Sequence, residues 1–169
     1  MDYICAPWRS EYFSQKPTGC PFCDAINDRE SDERNGVLFR AKFCFGIMNL
    51  FPYSPGAFMV IPYAHKSDLS ELSDETWRQM SAFVRVGVGV LQRTIGAQGV
   101  NIGMNLGEAS GAGIAPHVHY HLVPRWFGDT NFITTIANTR VNGTPFFSIF
   151  KKIKTEFERL NLDENFGIN

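Results

Sequence analysis

The chain has 169 residues, 44% of them hydrophobic, with a formal net charge of -1 and a pI near 6.4, which is enough apolar material for one globular domain with a core. The balanced charge argues against a general nucleic-acid binder, which carries a basic excess. No apolar stretch nears the roughly 20 residues that span a bilayer, so neither nucleic acid nor membrane is expected as a partner.

The start, Met1-Asp2-Tyr3-Ile4-Cys5, has no positively charged segment leading an apolar one. A cytoplasmic protein is expected, and there Cys5, Cys20, Cys23 and Cys44 read as thiols or metal ligands rather than disulfides. Residues 1–36 hold Pro7, Pro17, Gly19 and Pro21, then a charged stretch from Asp28 to Arg34. They read as an N-terminal arm, a cysteine-bearing knuckle and a short helix. Val37-Leu38-Phe39 and Phe43 to Asn49 read as paired strands turning near Ala41-Lys42. Pro52-Tyr53-Ser54-Pro55-Gly56 is a turn by composition, and Phe58-Met59-Val60-Ile61-Pro62 a buried strand stopped by its proline.

Ser73, followed by Asp74 and Glu75, predicts a capped helix start with acids where the helix dipole favours them. That helix is expected to reach Ile95, before Gly96, with Trp77, Met80, Val84, Val88 and Leu91 as its buried stripe. Gly87 and Gly89 either weaken it or admit a close neighbour. Val100 to Asn105 is the next strand, then a glycine-rich loop from Gly107 to Gly113, then a strand bearing histidines. Pro145 suits the first turn of a last helix, running to Leu160 with Phe146, Ile149, Phe150, Ile153 and Phe157 on its apolar face. Central strands, one long helix and a C-terminal helix predict an α+β domain with a mainly antiparallel sheet.

Three of the chain's four histidines lie in Pro116-His117-Val118-His119-Tyr120-His121-Leu122-Val123. Strand side chains alternate faces, so His117, His119 and His121 share one, about 6.5 to 7 Å apart in succession. A lone strand histidine is usually a partly buried polar residue; three at strict alternation point to a site. Two chemistries fit: imidazoles sharing a metal, or a neutral imidazole attacking phosphorus. The spacing leaves both open. The loop Asn105 to Ile114 adds backbone N–H groups that converge on anions. Cys20-Pro21-Phe22-Cys23 has the C-x₂-C spacing of two thiolates on one metal; a redox pair is the rival, without the βαβ surroundings it normally has.

These segments resemble the histidine-triad (HIT) family of nucleotide hydrolases and transferases, whose signature is matched by His117-Val118-His119-Tyr120-His121-Leu122-Val123 and by Asn49 to His65. More narrowly, Ala6-Pro7-Trp8-Arg9, Cys20-Pro21-Phe22-Cys23, Pro124-Arg125-Trp126, Gly128-Asp129 and Asn131-Phe132 resemble the bacterial branch related to diadenosine tetraphosphate phosphorylases. The resemblance implies a HIT-like fold and a nucleophilic His119 that attacks the α-phosphate of a (di)nucleoside polyphosphate to form a nucleotidyl-histidine. It implies that His121 and Asn105 contact the phosphate, that Ser110, Gly111 and Gly113 cradle it, and that Asn49, Ile47 and Phe22 line the nucleoside pocket. Two positions depart from the family: Ala57, where many members carry histidine, and Gly113, where many carry glutamine. These leave the acceptor open between water and inorganic phosphate.

Zinc-bearing relatives use a histidine at the position of His65 and also the first triad histidine. The resemblance therefore implies a structural zinc on Cys20, Cys23, His65 and His117. It also implies a homodimer with a continuous sheet, to which the Ser73–Ile95 helix and neighbouring strands are suited. One HIT-like domain is expected over 1–169, with the arm and knuckle at 1–36, the core at 37–126 and a C-terminal extension at 127–169. A zinc-dependent hydrolase with all three strand histidines on one metal, and a non-catalytic nucleotide-binding module, are the alternative readings.

Overall fold

The structure, a computed structural model, describes residues 19–50, 52, 54–130, 136 and 145–162. Cys5, Ala6 to Arg9, Tyr53 and Asn131-Phe132 lie outside the described residues. In chain order the elements are α1 (Pro21–Asn27), α2 (Asp32–Asn35), β1 (Val37–Arg40), β2 (Cys44–Met48), β3 (Phe58–Pro62), α3 (Asp74–Ile95), β4 (Gly99–Gly103), β5 (Tyr120–Arg125) and α4 (Phe146–Arg159), with 3₁₀ turns at Arg29–Ser31, Leu69–Glu71 and Glu108–Ser110. The five strands form one sheet in the order β1-β2-β3-β5-β4, each neighbour antiparallel. The fold is α+β, as expected.

Alternation divides the core into two layers. Leu38, Met48, Phe58, Val60 and Leu122 meet Met80, Phe83, Val84 and Leu91 of α3 and Ile149, Phe150, Ile153 and Phe157 of α4. Val37, Phe45, Ile47, Met59 and Ile61 point to the other face, where Phe22 and Ala25 of α1 cover them. That second face receives the histidines, because His121 pairs with Met59 and with Gly103 across the sheet.

The long helix begins and ends where its caps predict. The Ser73 hydroxyl accepts from the Thr76 N–H at 3.2 Å, and Gly96 takes the left-handed conformation, φ 64°, just past Ile95. Its buried stripe differs from the expected one. Met80, Val84 and Leu91 are inside as read, but Thr76, Gln79, Phe83, Gly87 and Val90 complete the stripe, while Trp77 is exposed and Val88 only half-buried. Gln79 is tolerated in the core because its Oε1 accepts from the Phe43 N–H at 2.7 Å. Gly87 admits the Phe58 ring against the helix: a Cβ there would lie 2.6 Å from Phe58 Cζ.

Three smaller expectations shift. The strand after α3 stops at Gly103 rather than Asn105. The knuckle is the start of a helix, with Cys20 as its N-cap and Pro21 in the first turn. The histidine strand begins only at Tyr120: Pro116 has no N–H for a ladder, and the segment before β5 instead crosses to the 62–66 loop, where the Val118 N–H donates to the Lys66 carbonyl at 2.8 Å.

Candidate active site and metal centre

His117 and His119 therefore lie on the lead-in to β5 and His121 on the strand itself. His119 is buried, 5% exposed. Its Nδ1 lies 2.8 Å from the carbonyl oxygen of His117. A carbonyl only accepts, so Nδ1 carries the proton and Nε2 keeps its lone pair. Burial pushes the imidazole down to about 4; the hydrogen bond to His117 opposes this and neighbouring His121 adds to it. The ring is neutral at pH 7. His121 stands edge-on to it, centroids 4.6 Å apart, and is also lowered by burial.

His117 points elsewhere. It is fully buried, and its Nε2 lies 2.9 Å from the Pro62 carbonyl, so that nitrogen is the donor and Nδ1 holds the lone pair. Nδ1 faces Cys20 Sγ at 3.4 Å and Cys23 Sγ at 3.8 Å, while His65 Nδ1 lies 3.1 Å from Cys23 Sγ. All four ligand atoms fall within 4.8 Å of one another. Ordinary Zn–S and Zn–N bond lengths put tetrahedral ligand pairs roughly 3.3 to 3.8 Å apart. The donor chemistry, the spacing and the tautomer that the Pro62 carbonyl imposes on His117 all fit zinc. Burial and the adjacent Cys20 raise the Cys23 thiol, a cost that a divalent cation bound to both sulfurs offsets. Among the described residues this cluster takes only His117 from the triad.

The knuckle is fastened to the sheet by Arg40 of β1, whose guanidinium donates to both carboxylate oxygens of Asp32, at 2.9 and 2.6 Å, and to the Ala25 carbonyl at 2.7 Å. Sequence reasoning missed this anchor, along with the roles of the Pro62 and His117 carbonyls. A charged pair eight residues apart reads as solvated surface, and a main-chain acceptor leaves no mark in a sequence.

The remaining expected residues divide into two groups. Ile47 is buried beside Phe22 in the core under the knuckle, and the N–H of Asn49 donates to the Ala57 carbonyl at 2.9 Å. Phe22 packs its ring on His117 and His119. Asn105, Ser110, Gly111 and Gly113 are exposed in the loop between β4 and β5. There Gly107 and Gly111 take positive φ, and the Ser110 hydroxyl donates to the Gly107 carbonyl at 2.8 Å. An open cleft of about 600 Å³ runs beside this loop, lined by Ser67, Asp68, Leu106, Gly107, Glu108, Ala115 and Pro116. No triad histidine lines it, and its two carboxylates repel phosphate.

The arrangement sets a neutral, oriented imidazole edge-on to a second imidazole, with a cluster of two thiols and two imidazoles that could hold a metal ion reaching it through His117, two residues earlier. The model of the HIT domain matches residues 30–128, which span the triad. The chain belongs to the HIT family. This HIT protein is 37% identical over 142 residues to an AP-4-A phosphorylase of Mycobacterium tuberculosis, covering 83% of this chain and 72% of that one. It is 30% identical to an asymmetrical bis(5'-nucleosyl)-tetraphosphatase of Schizosaccharomyces pombe, over 68% of this chain and 54% of that one. Its fold matches a zinc-bound histidine triad family protein of Mycobacterium smegmatis with a TM-score of 0.68 and 25% identity, covering 85% of this chain and 96% of that one.

Proposed function

We propose that this HIT protein is a nucleotidyl-transferring enzyme that cleaves a (di)nucleoside polyphosphate at its α-phosphate, with diadenosine tetraphosphate and inorganic phosphate as its substrates. The observation that carries the reading is the His119 imidazole, whose Nδ1 proton is held by the His117 carbonyl. It thus presents a lone pair at Nε2, as in-line attack on phosphorus requires. Nε2 forms the P–N bond as the α-phosphate's bond to the bridging oxygen breaks, and ATP leaves. Phosphate then attacks the nucleotidyl-histidine, the P–N bond breaks, and ADP is released with the imidazole restored. His121 contacts the phosphate; Asn105 and the Ser110, Gly111 and Gly113 backbone donate to its oxygens as charge develops. Asn49 and Ile47 border the nucleoside. The 37% identity to an AP-4-A phosphorylase supports phosphate over water as the acceptor.

Cys20, Cys23, His65 and His117 would hold a structural zinc, which would tie the knuckle to the histidine segment and take no step of the reaction. A zinc hydrolase with three strand histidines on its metal fits less well, because His117, one of the three, turns its lone-pair nitrogen to Cys20 and Cys23 instead. We also assign a cytoplasmic homodimer, one catalytic domain over 1–169 with its arm at 1–36, core at 37–126 and extension at 127–169. The dimer is supported by β4, an edge strand, beside exposed Ile102, Leu106 and Trp77. Light scattering during gel filtration tests it. The decisive assay incubates the protein with diadenosine tetraphosphate, with and without phosphate, and weighs the products. ADP plus ATP formed only with phosphate is expected; AMP plus ATP makes the enzyme a hydrolase, and no turnover of any nucleotide refutes the proposal.

A further inference from the structure

Phe22 lies between the two cysteines of the knuckle and is 3% exposed. It stands edge-on to His117, centroids 5.5 Å apart at 84°, and to His119, 4.9 Å apart at 67°. The His119 ring is thus bounded by Phe22, by His121 at 4.6 Å and by the His117 carbonyl. Turning the imidazole about its own axis drives it into one of these groups. Phe22 is in turn fixed by its neighbours in sequence, because Cys20 and Cys23 both belong to the four-donor cluster. So little exposed ring has little surface to offer a base.

From this we infer that Phe22 is a positioning residue through which the metal-bound knuckle holds the imidazole of His119 in line. Two connections run from the metal centre to the nucleophile. One passes from the His117 ring through its carbonyl to Nδ1 of His119; the other passes from Cys20 and Cys23 through the Phe22 ring. A metal held by these four donors would lend order to His119 while remaining outside the chemistry. The inference rests on the functional reading above for its kinetic arm and on the proposed zinc for its metal arm.

The test compares the zinc-loaded wild type with Phe22→Leu and Phe22→Ala. Both variants keep all four donors, so each is expected to retain one zinc per chain by elemental analysis. Freed imidazole rotation is expected to lower kcat by about 10-fold for Leu and about 100-fold for Ala, the scale of a 1 Å misplacement, with KM changed less than about threefold. Nitrogen-15 spectra at one fixed pH read the His119 tautomer directly: a single Nδ1–H form in the wild type, and a mixture in Phe22→Ala. An unchanged kcat, a rise confined to KM, or loss of zinc in both variants overturns the inference; the second of these makes Phe22 a nucleoside contact. Should the wild type turn over no nucleotide, the functional reading fails, and the spectra still decide whether Phe22 orders His119.

Discussion

Gly87 offers the sharpest test of how the core positions the catalytic strand. A Cβ at Gly87 would lie 2.6 Å from Phe58 Cζ and 3.0 Å from Leu122 Cδ2, well inside the roughly 3.5–4.0 Å of a carbon–carbon contact. Both neighbours are fully buried, and Phe58 is backed by Phe157 at 5.9 Å, so neither can retreat into solvent. Overpacking of this kind costs about 1–3 kcal/mol, while replacing glycine by alanine within a helix returns about 1 kcal/mol. Gly89 is the internal control. Its added Cβ would meet only the far end of the exposed Arg93 side chain, at 2.8 Å from a guanidinium nitrogen, which must shift slightly beside its pairing with Glu156, so Gly89→Ala keeps most of the propensity gain at a small steric cost. The gain cancels in the difference between the two variants, leaving the packing cost. Gly87→Ala should be about 1–3 kcal/mol less stable than Gly89→Ala in urea unfolding, with a Tm about 2–12 °C lower. Because Leu122 adjoins His121, activity should fall with it. Two variants of equal stability would refute the packing argument.

Other outcomes follow from the metal and charge geometry. Elemental analysis of native protein should give one zinc per chain; Cys23→Ser should lose the metal and several kcal/mol of stability, since structural zinc binding is coupled to folding, and metal-free protein of full stability would contradict this. His119→Asn should leave the fold intact by circular dichroism and reduce turnover by at least about 10³-fold. Glu156 is held down to about 2 by hydrogen bonds from Arg159 and Arg93, so its folded-state pKa is depressed. Its stabilisation is present above the usual carboxylate pKa near 4.5 and is lost as pH falls from there towards 2. Glu156→Gln should therefore be less stable than wild type at pH 7 and equal to it near pH 2 in thermal melts. Burial pushes the Cys44 thiol up to about 12, so iodoacetamide at pH 8 should leave Cys44 unlabelled in peptide mass spectra until the protein is unfolded.

The fold was legible where local chemistry acts alone. Ser73 and Gly96 mark the ends of α3 because a hydroxyl cap and a left-handed glycine are requirements of the helix itself. The short apolar runs at β2 and β3 are buried on both faces, which is why they lack alternation. The phase of α3 was less legible, since hydrophobicity alone assigns Trp77 inward and Gln79 outward. In the folded chain Gln79 is inside because the Phe43 N–H needs an acceptor, and Gly87 is inside because Phe58 needs the space. Both reasons are tertiary, and neither has a period of 3.6 residues.

The site follows the same division. The donor types and the spacing of His117, His119 and His121 are written in the sequence, but only His121 lies on the strand, and His117 turns its Nδ1 to Cys20 and Cys23. What alternation cannot convey is that the imidazoles meet different partners. That depends on which acceptor each ring meets: the Pro62 carbonyl turns the Nδ1 of His117 toward sulfur, while the His117 carbonyl turns the Nε2 of His119 away from it. One residue thus touches both centres, its ring facing the two sulfurs of the candidate metal cluster and its backbone serving as the acceptor that sets the tautomer of His119, the proposed nucleophile. Tautomers are fixed by the partner of the other nitrogen, so two histidines two residues apart come to present opposite nitrogens, His117 its Nδ1 to the Cys20 and Cys23 sulfurs and His119 its Nε2, in the proposed reaction, to an incoming phosphate.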